Sequence, residues 1–357
     1  MSNEDNPDSA FKTPCVGGDN IDRCKKPLSV APPPHIRRGE SVSAIMWRVN
    51  LSFAPAAVFG IVNFGVTALV TIIISISGAV ATEAAIQFLR KKPVTINDGS
   101  AFLTGLLLAL CLPAHLPWYM PLLGSIVAIS LAKHAMGGLG NNVFNPAHVG
   151  RAFLLASYPV AMTSFTASNL SFRQPFSMNN FSGVDAVSCA TPLGILKHEG
   201  YSRLLEIFGS RCELYKTMLI GNHAGSIGET SVLLLLVGGI FLVVKGYIKW
   251  QPPIVMILTV GIFGWIFGGK GCFFSGDPVF HIMAGGLIIG AFFMITDPVT
   301  VPMSLKGQIL FAFGAGALTI LIRLAGGYPE GVCYAILLMN AVTPVIDKYI
   351  YPKKFGT

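Results

Sequence analysis

Long apolar runs are the feature that most restricts the fold of this chain. A helix needs about 17–25 apolar residues to cross a hydrocarbon core, and the sequence contains about ten runs of this kind. Of the 357 residues, 52% are hydrophobic and 12% are charged, a composition outside the range of ordinary soluble domains. We therefore predict an all-α polytopic membrane protein. The candidate spans are residues 43–63, 66–89, 99–116, 118–136, 146–165, 230–248, 253–269, 279–296, 308–325 and 331–347.

Basic residues beside the spans predict the orientation. Lys and Arg near short loops favour the cytoplasmic side of a membrane. With ten spans, four basic clusters fall on one side, so both termini are predicted to be cytoplasmic and the loop 166–229 extracytoplasmic. The clusters are Arg37-Arg38, Arg90-Lys-Lys92, Lys245 with Lys249, and Lys348 with Lys353 and Lys354.

The spans divide into two sets of five, and the sets resemble each other. The segments 131–138 and 145–155 compare with 322–338: a span ends in a basic residue and Gly-Gly, a Pro turn follows, and another span begins. Repeats with an odd number of spans are inverted relative to each other, and a site is expected at their interface. The predicted organisation is a polar tail (1–40), the first repeat (41–165), a loop (166–229), the second repeat (230–347) and a short tail (348–357).

Composition and motifs exclude several classes of function. The net charge of +8 comes from scattered basic residues without interleaved aromatics, which does not favour nucleic-acid binding. The seven cysteines show no CxxC spacing, so we expect no metal or iron–sulfur site within this chain alone. Without a P-loop or a GxGxxG that follows a strand, we do not expect the chain to bind NAD or hydrolyse a substrate by itself.

Ionisable residues and glycines in the spans are candidates for a site. A charge in hydrocarbon is costly, so Arg151, Asp297 and Arg323 are expected to face the protein interior, water or the interface. Asp297 precedes Pro298, which frees a backbone carbonyl. That arrangement suits a cation, a flavin ring edge or a simple helix stop, and the sequence leaves these open. Paired glycines such as Gly137-Gly138 fit either a broken helix or close helix packing.

The loop contains one short motif with a specific spacing. Asp185, Ser188, Ala190 and Thr191 form the pattern D-x-x-S-x-A-T. A threonine before a proline means little alone, but this pattern resembles the sequence at which a flavin transferase joins FMN to a threonine through a phosphoester. The acceptor is expected to be an exposed hydroxyl on a flexible segment. Ala190 leaves room for the transferase, while Ser188 and Asp185 can order the turn.

The whole chain resembles the D subunits of Rnf complexes, which are ion-translocating ferredoxin:NAD oxidoreductases of bacterial inner membranes. It is also similar to the B subunit of the sodium-translocating NADH:quinone reductase. The match extends over about residues 34–354, with a tail at 1–33 that is not associated with the family. The motifs that carry it lie at 34–37, 41–46, 103–108, 137–146, 185–193, 290–300 and 326–332.

The resemblance implies a redox function with defined partners. FMN on Thr191 would accept electrons from the FMN-bearing G subunit, and riboflavin bound non-covalently would lie deeper in the repeat interface. Electron transfer would be coupled to Na⁺ or H⁺ translocation, in a complex with the A, B, C, E and G subunits. The residues expected to line the flavin or ion pathway are Gly137, Gly138, Asn145, Arg151, Asp297, Gly326 and Tyr328.

Two other interpretations remain open at this point. A ten-span inverted repeat is also similar to urea and ammonium channels, which would need neither a chromophore nor a modified threonine. A membrane anchor for other redox subunits would assemble without flavin on this chain. The D-x-x-S-x-A-T motif favours the redox interpretation over both.

Overall fold

The computed structural model describes residues 41–166, 188–229, 231–269 and 273–350, and almost all regular structure in them is helical. Three helices are long and apolar enough to cross a membrane: Val42–Phe64, Val66–Leu89 and Leu305–Ala325. In lipid a helix satisfies its own backbone hydrogen bonds, which is why apolar runs of this length become helices. The all-α prediction is confirmed, whereas the count of ten spans stays a prediction.

The first predicted repeat forms five helical segments. A 3₁₀ turn at Ile96–Asp98 precedes the third, and a π-helical stretch at Ala128–His134 continues the fourth. The segments are α1 Val42–Phe64, α2 Val66–Leu89, α3 Ser100–Leu110, α4 Tyr119–Val127 and α5 Pro146–Ser157, and the short α6 Pro159–Thr163 follows.

The second predicted repeat also forms five segments, the third of which is interrupted. The segments are α10 Val232–Val244, α11 Gln251–Phe267, the pair α12 Pro278–Met283 and α13 Leu287–Ile289, then α14 Leu305–Ala325 and α15 Val332–Tyr349. A π-helical stretch at Gly290–Met294 continues α13.

The predicted spans 99–116, 146–165 and 279–296 are shortened or interrupted in the structure. The span 99–116 is helical only at Ser100–Leu110. The span 146–165 breaks at Tyr158, where Pro159 begins a new short helix. The span 279–296 is interrupted at Gly285 and Gly286, whose φ angles of 72° and 65° are left-handed. Glycine adopts this conformation without steric cost, so an apolar run can contain a turn.

The helices of the two halves pack in matching pairs. In the first half α2 contacts α3 and α4, and α4 contacts α5; in the second half α11 contacts α12 and α14, and α14 contacts α15. Across the halves α1 contacts α10, and α5 contacts α15. The α1–α10 approach is close, because a Cβ on Gly238 would lie 2.3 Å from the Ser52 carbonyl oxygen. This pattern supports two related repeats, whose inversion stays a prediction.

The segment predicted as a long loop contains helices in the part that the structure describes. Two-residue strands, β1 Phe165–Thr166 and β2 Ser188–Cys189, pair antiparallel at its start. Three helices follow: α7 Pro192–His198, α8 Tyr201–Phe208 and α9 Arg211–Ile220. A small apolar cluster that includes Leu204, Leu214 and Phe280 packs α8 and α9 against α12.

The chain between α9 and α10 is non-helical but almost entirely buried. From His223 to Glu229 every residue is buried. The backbone nitrogens of Ile227 and Gly228 donate to the carbonyls of Leu112 and Leu110, at the end of α3. We call residues 221–229 the buried loop, and it belongs to the packed helical unit.

Candidate functional site

Thr191 is the N-cap of α7. Its extended backbone (φ −66°, ψ 155°) lets Oγ1 accept a hydrogen bond from the Gly194 nitrogen at 3.1 Å, and Pro192 occupies the first helical position. These are preferred residues for a helix start. The Thr191 residue is only 7% exposed, whereas Ala190 is exposed. The expectation of an exposed hydroxyl is therefore wrong, because the Thr191 hydroxyl is buried and accepts a hydrogen bond from a free backbone nitrogen at the start of α7.

The other two motif residues are described in part or not at all. Ser188 lies in β2, where it is the register partner of Thr166 in β1, so backbone pairing holds the segment before Thr191. Asp185 lies outside the described residues. Because β2 ends two residues before Thr191, its pairing with β1 holds the start of α7 close to the end of the first predicted repeat.

Helix α7 is fastened to the second half through Lys197. The Lys197 ammonium donates to the carbonyl of Gly326, at the C-terminal cap of α14, and to that of Tyr328 at 3.3 Å. Cations near a helix C-terminus interact favourably with its free carbonyls. Two residues predicted from the sequence, Gly326 and Tyr328, thus lie beside the motif that carries Thr191. Tyr328 also stacks on Tyr334, with ring centroids 5.9 Å apart.

The turn from Arg323 to Glu330 joins α7 to a group of buried charges. Arg323 donates to the carbonyls of His281, Ala284 and Glu330 at 2.6, 2.6 and 3.1 Å. Arg151, from α5 in the other half, forms a buried ion pair with the Glu330 carboxylate. The expectation that Arg151 and Arg323 face the protein interior is confirmed by their burial.

A cavity of about 130 Å³ lies between α1, α3, α5, α10 and the end of the π-helical stretch after α13. It includes two of the predicted residues, Asn145 and Asp297. Asn145 caps α5 by accepting a hydrogen bond from the Ala147 nitrogen. Asp297 accepts from the Val299 nitrogen at 3.3 Å and from Thr300 at 3.4 Å. Apolar walls with a few polar groups are typical of cofactor sites.

Lys133, which lines the same cavity, belongs to a buried ion pair with Glu83. The Lys133 ammonium donates to both Glu83 oxygens, at 2.8 and 2.7 Å, and to Ser100 Oγ at 2.7 Å. An ammonium has three donors, so this geometry satisfies all of them. Lys133 lies in the π-helical stretch after α4, which turns its side chain toward α2 and α3.

The two remaining predicted residues do not line the cavity. Gly137 and Gly138 have φ angles of 118° and 103°, and they form the turn between the π-helical stretch and α5. Leu139, next to them, does contribute to the lining. Of the predicted residues, Asn145 and Asp297 thus line the cavity, while Gly326 and Tyr328 contact Lys197 on α7. That all of them belong to one flavin or ion pathway stays a prediction.

Outside the predicted spans, a carboxylate fixes α8 and α9 to α12. Asp277 accepts hydrogen bonds from Tyr201 and Tyr215, both at 2.5 Å, and caps α12 through the Phe280 nitrogen at 3.1 Å. Burial raises the pKa of the Asp277 carboxyl, but these hydrogen bonds lower it by more, so the pKa lies below its ordinary value. Burial and the same contact raise the pKa of Tyr215 to about 12.

Comparison with known proteins identifies the family. Residues 29–356 match the family model described as the NQR2, RnfD, RnfE family. The chain belongs to the NQR2, RnfD, RnfE family. This range contains every candidate residue discussed above, including the segment around Thr191.

Several members of the NQR2, RnfD, RnfE family are similar over nearly the whole chain. A protein of Clostridium ljungdahlii, named as the D subunit of a proton-translocating ferredoxin:NAD(+) oxidoreductase complex, is 62% identical, covering 93% of this chain and 97% of the relative. One of Acetobacterium woodii, named as the D subunit of a Na(+)-translocating complex, is 44% identical (92% and 95%). One of Stutzerimonas stutzeri, named as the D subunit of an ion-translocating oxidoreductase complex, is 39% identical (88% and 92%).

Sequence reasoning did not select Lys197, Glu229 or Glu330, and it named Glu83 and Lys133 only as ionisable residues in spans, without predicting that they pair. Lys197, Glu229 and Glu330 were not selected because they lie in or beside a segment predicted as loop. Glu83 and Lys133 lie in apolar runs, and an ionisable residue in such a run is a signal in itself. Their spacing of 50 residues gives no local indication that they pair.

Proposed function

We propose that this chain is the D subunit of an Rnf-type complex, an ion-translocating ferredoxin:NAD oxidoreductase. Thr191 is the attachment point of FMN, and the cavity at Asn145 and Asp297 is the place of a second, non-covalent flavin. When bound, the flavins supply the electron-transfer chemistry. The relatives of known name, with identities of 62% and 44% over almost their full length, support this assignment. They do not favour the channel interpretation.

The single observation that carries the flavin proposal is the position of Thr191. It caps the start of a helix whose far end is bound to the C-terminal end of α14 in the second half. A group attached there has a fixed anchor, and Ala190 beside it is exposed. The FMN-bearing G subunit is the expected electron donor on this side, which we assign as extracytoplasmic.

A phosphoester can form at Thr191 only if its hydroxyl becomes accessible. Its Oγ1 now accepts the capping hydrogen bond from Gly194, and the residue is 7% exposed, so a transferase has no access to the hydroxyl. The first turn of α7 must therefore open before or during modification. Loss of a threonine cap costs about 1 kcal/mol, which is a modest barrier to such opening.

The polar groups that line the cavity suit a flavin ring, but the cavity must widen before the ring can enter. Asn142, Asn145, Thr296 and Asp297 provide amide, hydroxyl and carboxylate groups, which can recognise the polar edge of a flavin ring. Its volume of about 130 Å³ is below the roughly 300 Å³ at which pockets for drug-sized ligands begin. We expect flexible lining side chains such as Met46 to move when the ring enters.

The first experiment detects the covalent flavin. The chain, co-expressed with the flavin transferase, should give an ultraviolet-fluorescent band on a denaturing gel, and Thr191→Val should abolish it. Thr217→Val is the matched control, because this hydroxyl lies in the same extracytoplasmic segment and should leave the band unchanged. A band that survives Thr191→Val, or a dark wild-type band with active transferase, would contradict the proposal.

The second experiment tests whether docking of α7 limits access to Thr191. Lys197→Gln removes the cation that holds α7 to Gly326 and Tyr328, and charged hydrogen bonds of this kind contribute about 1.5–3 kcal/mol. We expect the folded, unmodified chain to be flavinylated roughly ten- to a hundredfold faster than wild type, since about 1.4 kcal/mol corresponds to a factor of ten. Lys216→Gln on α9 is the control. Equal rates for both variants would show that docking does not limit modification.

A further inference from the structure

Two glutamates are buried in the part of the chain that the structure describes: Glu83 has a cation bound to it, and Glu229 does not. The Glu229 residue is 6% exposed, and Ser226 Oγ donates a hydrogen bond to Oε2 at 2.8 Å. Among the described residues, no nitrogen of Lys, Arg or His lies within 4.0 Å of the carboxylate. Burial of an unpaired carboxylate is unfavourable, so such a group is a candidate for function.

The backbone around Glu229 is irregular on both sides. Glu229 ends the buried loop, and Gly286 faces it: a Cβ on Gly286 would lie 4.0 Å from Glu229 Oε2. On the other side of the same glycine turn, a Cβ on Gly285 would lie 2.9 Å from Arg323 Nη2. Non-helical backbone inside a membrane domain is tolerated where it is buried in protein or lines a cavity, and broken helices form the ion sites of many transporters.

The charged and titratable groups around Glu229 come from five parts of the chain. Arg151 on α5, Arg323 on α14 and Glu330 before α15 all act electrostatically on its carboxylate, while His223 faces it across Gly225 within the buried loop. Cys111 at the end of α3 is the remaining titratable group in range. His223 is buried, and its Nδ1 has no hydrogen-bond partner in the described part of the chain.

A route to water exists next to this group. A second cavity, of about 810 Å³, separates α7 and α8 from the start of α12, and Arg323, His281 and Asp277 are part of its lining. Arg323 therefore lines the cavity and also lies beside Gly285, whose neighbour Gly286 faces Glu229.

We propose that Glu229 is a proton-binding residue of the ion-translocation path, held between the buried loop and the Gly285–Gly286 turn. The step is the binding and release of one H⁺ at a carboxylate oxygen, with water as its source and destination. It rests on the proposed coupling of electron transfer to ion movement. Two guanidinium groups nearby oppose a metal cation, and a hard cation takes roughly six oxygen ligands, which a carboxylate and one hydroxyl do not provide.

The test uses the whole complex in proteoliposomes, with reduced ferredoxin and NAD as substrates. Glu229→Gln keeps the size and the Ser226 contact but cannot bind and release a proton. We expect H⁺ translocated per electron to fall at least tenfold, while flavin fluorescence and electron transfer in the presence of an uncoupler are retained. Glu213→Gln, an exposed position on α9, is the control and should be unaffected.

A second variant keeps the carboxylate and changes only its environment. Ser226→Ala removes the hydrogen bond that stabilises the charged form, so the pH profile of translocation should move up by about one pH unit. Ser226→Thr should restore it. This variant carries the test if Glu229→Gln fails to assemble.

The outcomes separate this inference from the proposed function. Unchanged coupling in Glu229→Gln, with fluorescence and electron transfer intact, overturns the role of Glu229 alone. A dark band or absent electron transfer in the wild-type complex argues against the proposed function instead. A sodium requirement that disappears in Glu229→Gln, with no shift of the pH profile in Ser226→Ala, would show that the group binds Na⁺ and would also overturn the proposal.

Discussion

Two buried glutamates, one on α2 of the first half and one in the buried loop between the halves, have opposite environments. Glu83 on α2 is 1% exposed and accepts two hydrogen bonds from Lys133, at 2.8 and 2.7 Å, and one from Gln87 at 3.2 Å. Glu229 is 6% exposed and accepts one from Ser226. Both are buried, so the difference lies in their partners and not in the depth of burial.

This difference distinguishes a charged residue that stabilises the fold, Glu83, from one that is a candidate for function, Glu229. The Glu83–Lys133 pair is neutral as a unit and locks α2, α3 and the π-helical stretch after α4 together. Removing either partner would leave an uncompensated charge. At Glu229 a change of protonation breaks no ion pair, so the group can titrate without loss of the fold. The same residue type thus supports packing on α2 and, by our proposal, ion movement in the buried loop.

The largest expected effect comes from breaking the paired site. Lys133→Met leaves the Glu83 carboxylate buried without its cation, which costs about 3–5 kcal/mol in the free energy of unfolding. The double variant Glu83→Gln with Lys133→Met should recover most of that loss, since no charge remains. Chemical unfolding of the purified chain in detergent measures both. A double variant as unstable as the single one would mean that packing, and not charge, sets the cost.

The sequence was sufficient to predict the long helices because hydropathy is a local property. The predicted span 66–89 coincides with α2, and 43–63 differs from α1 by one residue at each end. The interruption at Gly285 and Gly286 could not be predicted from the sequence. A glycine in an apolar run can either allow close helix packing or adopt a positive φ angle, and the sequence does not distinguish the two.

The sequence was sufficient to predict the parts of the site that depend on a local motif. It was not sufficient for the parts that depend on contacts between distant segments. The pattern ending at Thr191 is local and could be found. Its burial depends on the contact of Lys197 with a carbonyl 129 residues away, which no local pattern indicates. The buried loop has a polar, glycine-rich composition typical of exposed loops, yet its pairing with Leu110 and Leu112 places it inside.

A third carboxylate, Asp277, lies between these two in the strength of its partners, and its substitution is expected to have the next largest effect on stability. Asp277 is held by two phenols and a backbone nitrogen, without a cation. Asp277→Asn weakens hydrogen bonds to a charged acceptor, so we expect a loss of about 1–3 kcal/mol, seen as faster proteolysis within α8 and α9. Glu206→Gln, which changes an exposed carboxylate on α8, is the control. Unchanged proteolysis in Asp277→Asn would show that the apolar contacts of Leu204 and Leu214 are sufficient.

The pH dependence of this contact follows from the two pKa shifts. The pKa of Asp277 is lowered, so its stabilisation is present above the ordinary value of 3.8 and is lost as the pH falls through the lower folded value. The pKa of Tyr215 is raised to about 12, so its contribution is present below the ordinary value of 10.0 and is lost as the pH rises toward 12. Proteolysis of α8 and α9 should therefore be independent of pH between about 5 and 9.

The smallest effect on stability is expected at the residue with the largest proposed role. Glu229→Gln removes no ion pair, and its amide oxygen can still accept the Ser226 hydrogen bond, so the free energy of unfolding should change by roughly 1 kcal/mol or less. Glu83→Gln alone should cost several times more, because it leaves the Lys133 ammonium buried and unpaired. Unfolding of the two variants under the same conditions compares them directly. Equal losses would mean that Glu229 depends on the surrounding arginines as Glu83 depends on Lys133, and the distinction between the two sites would fail.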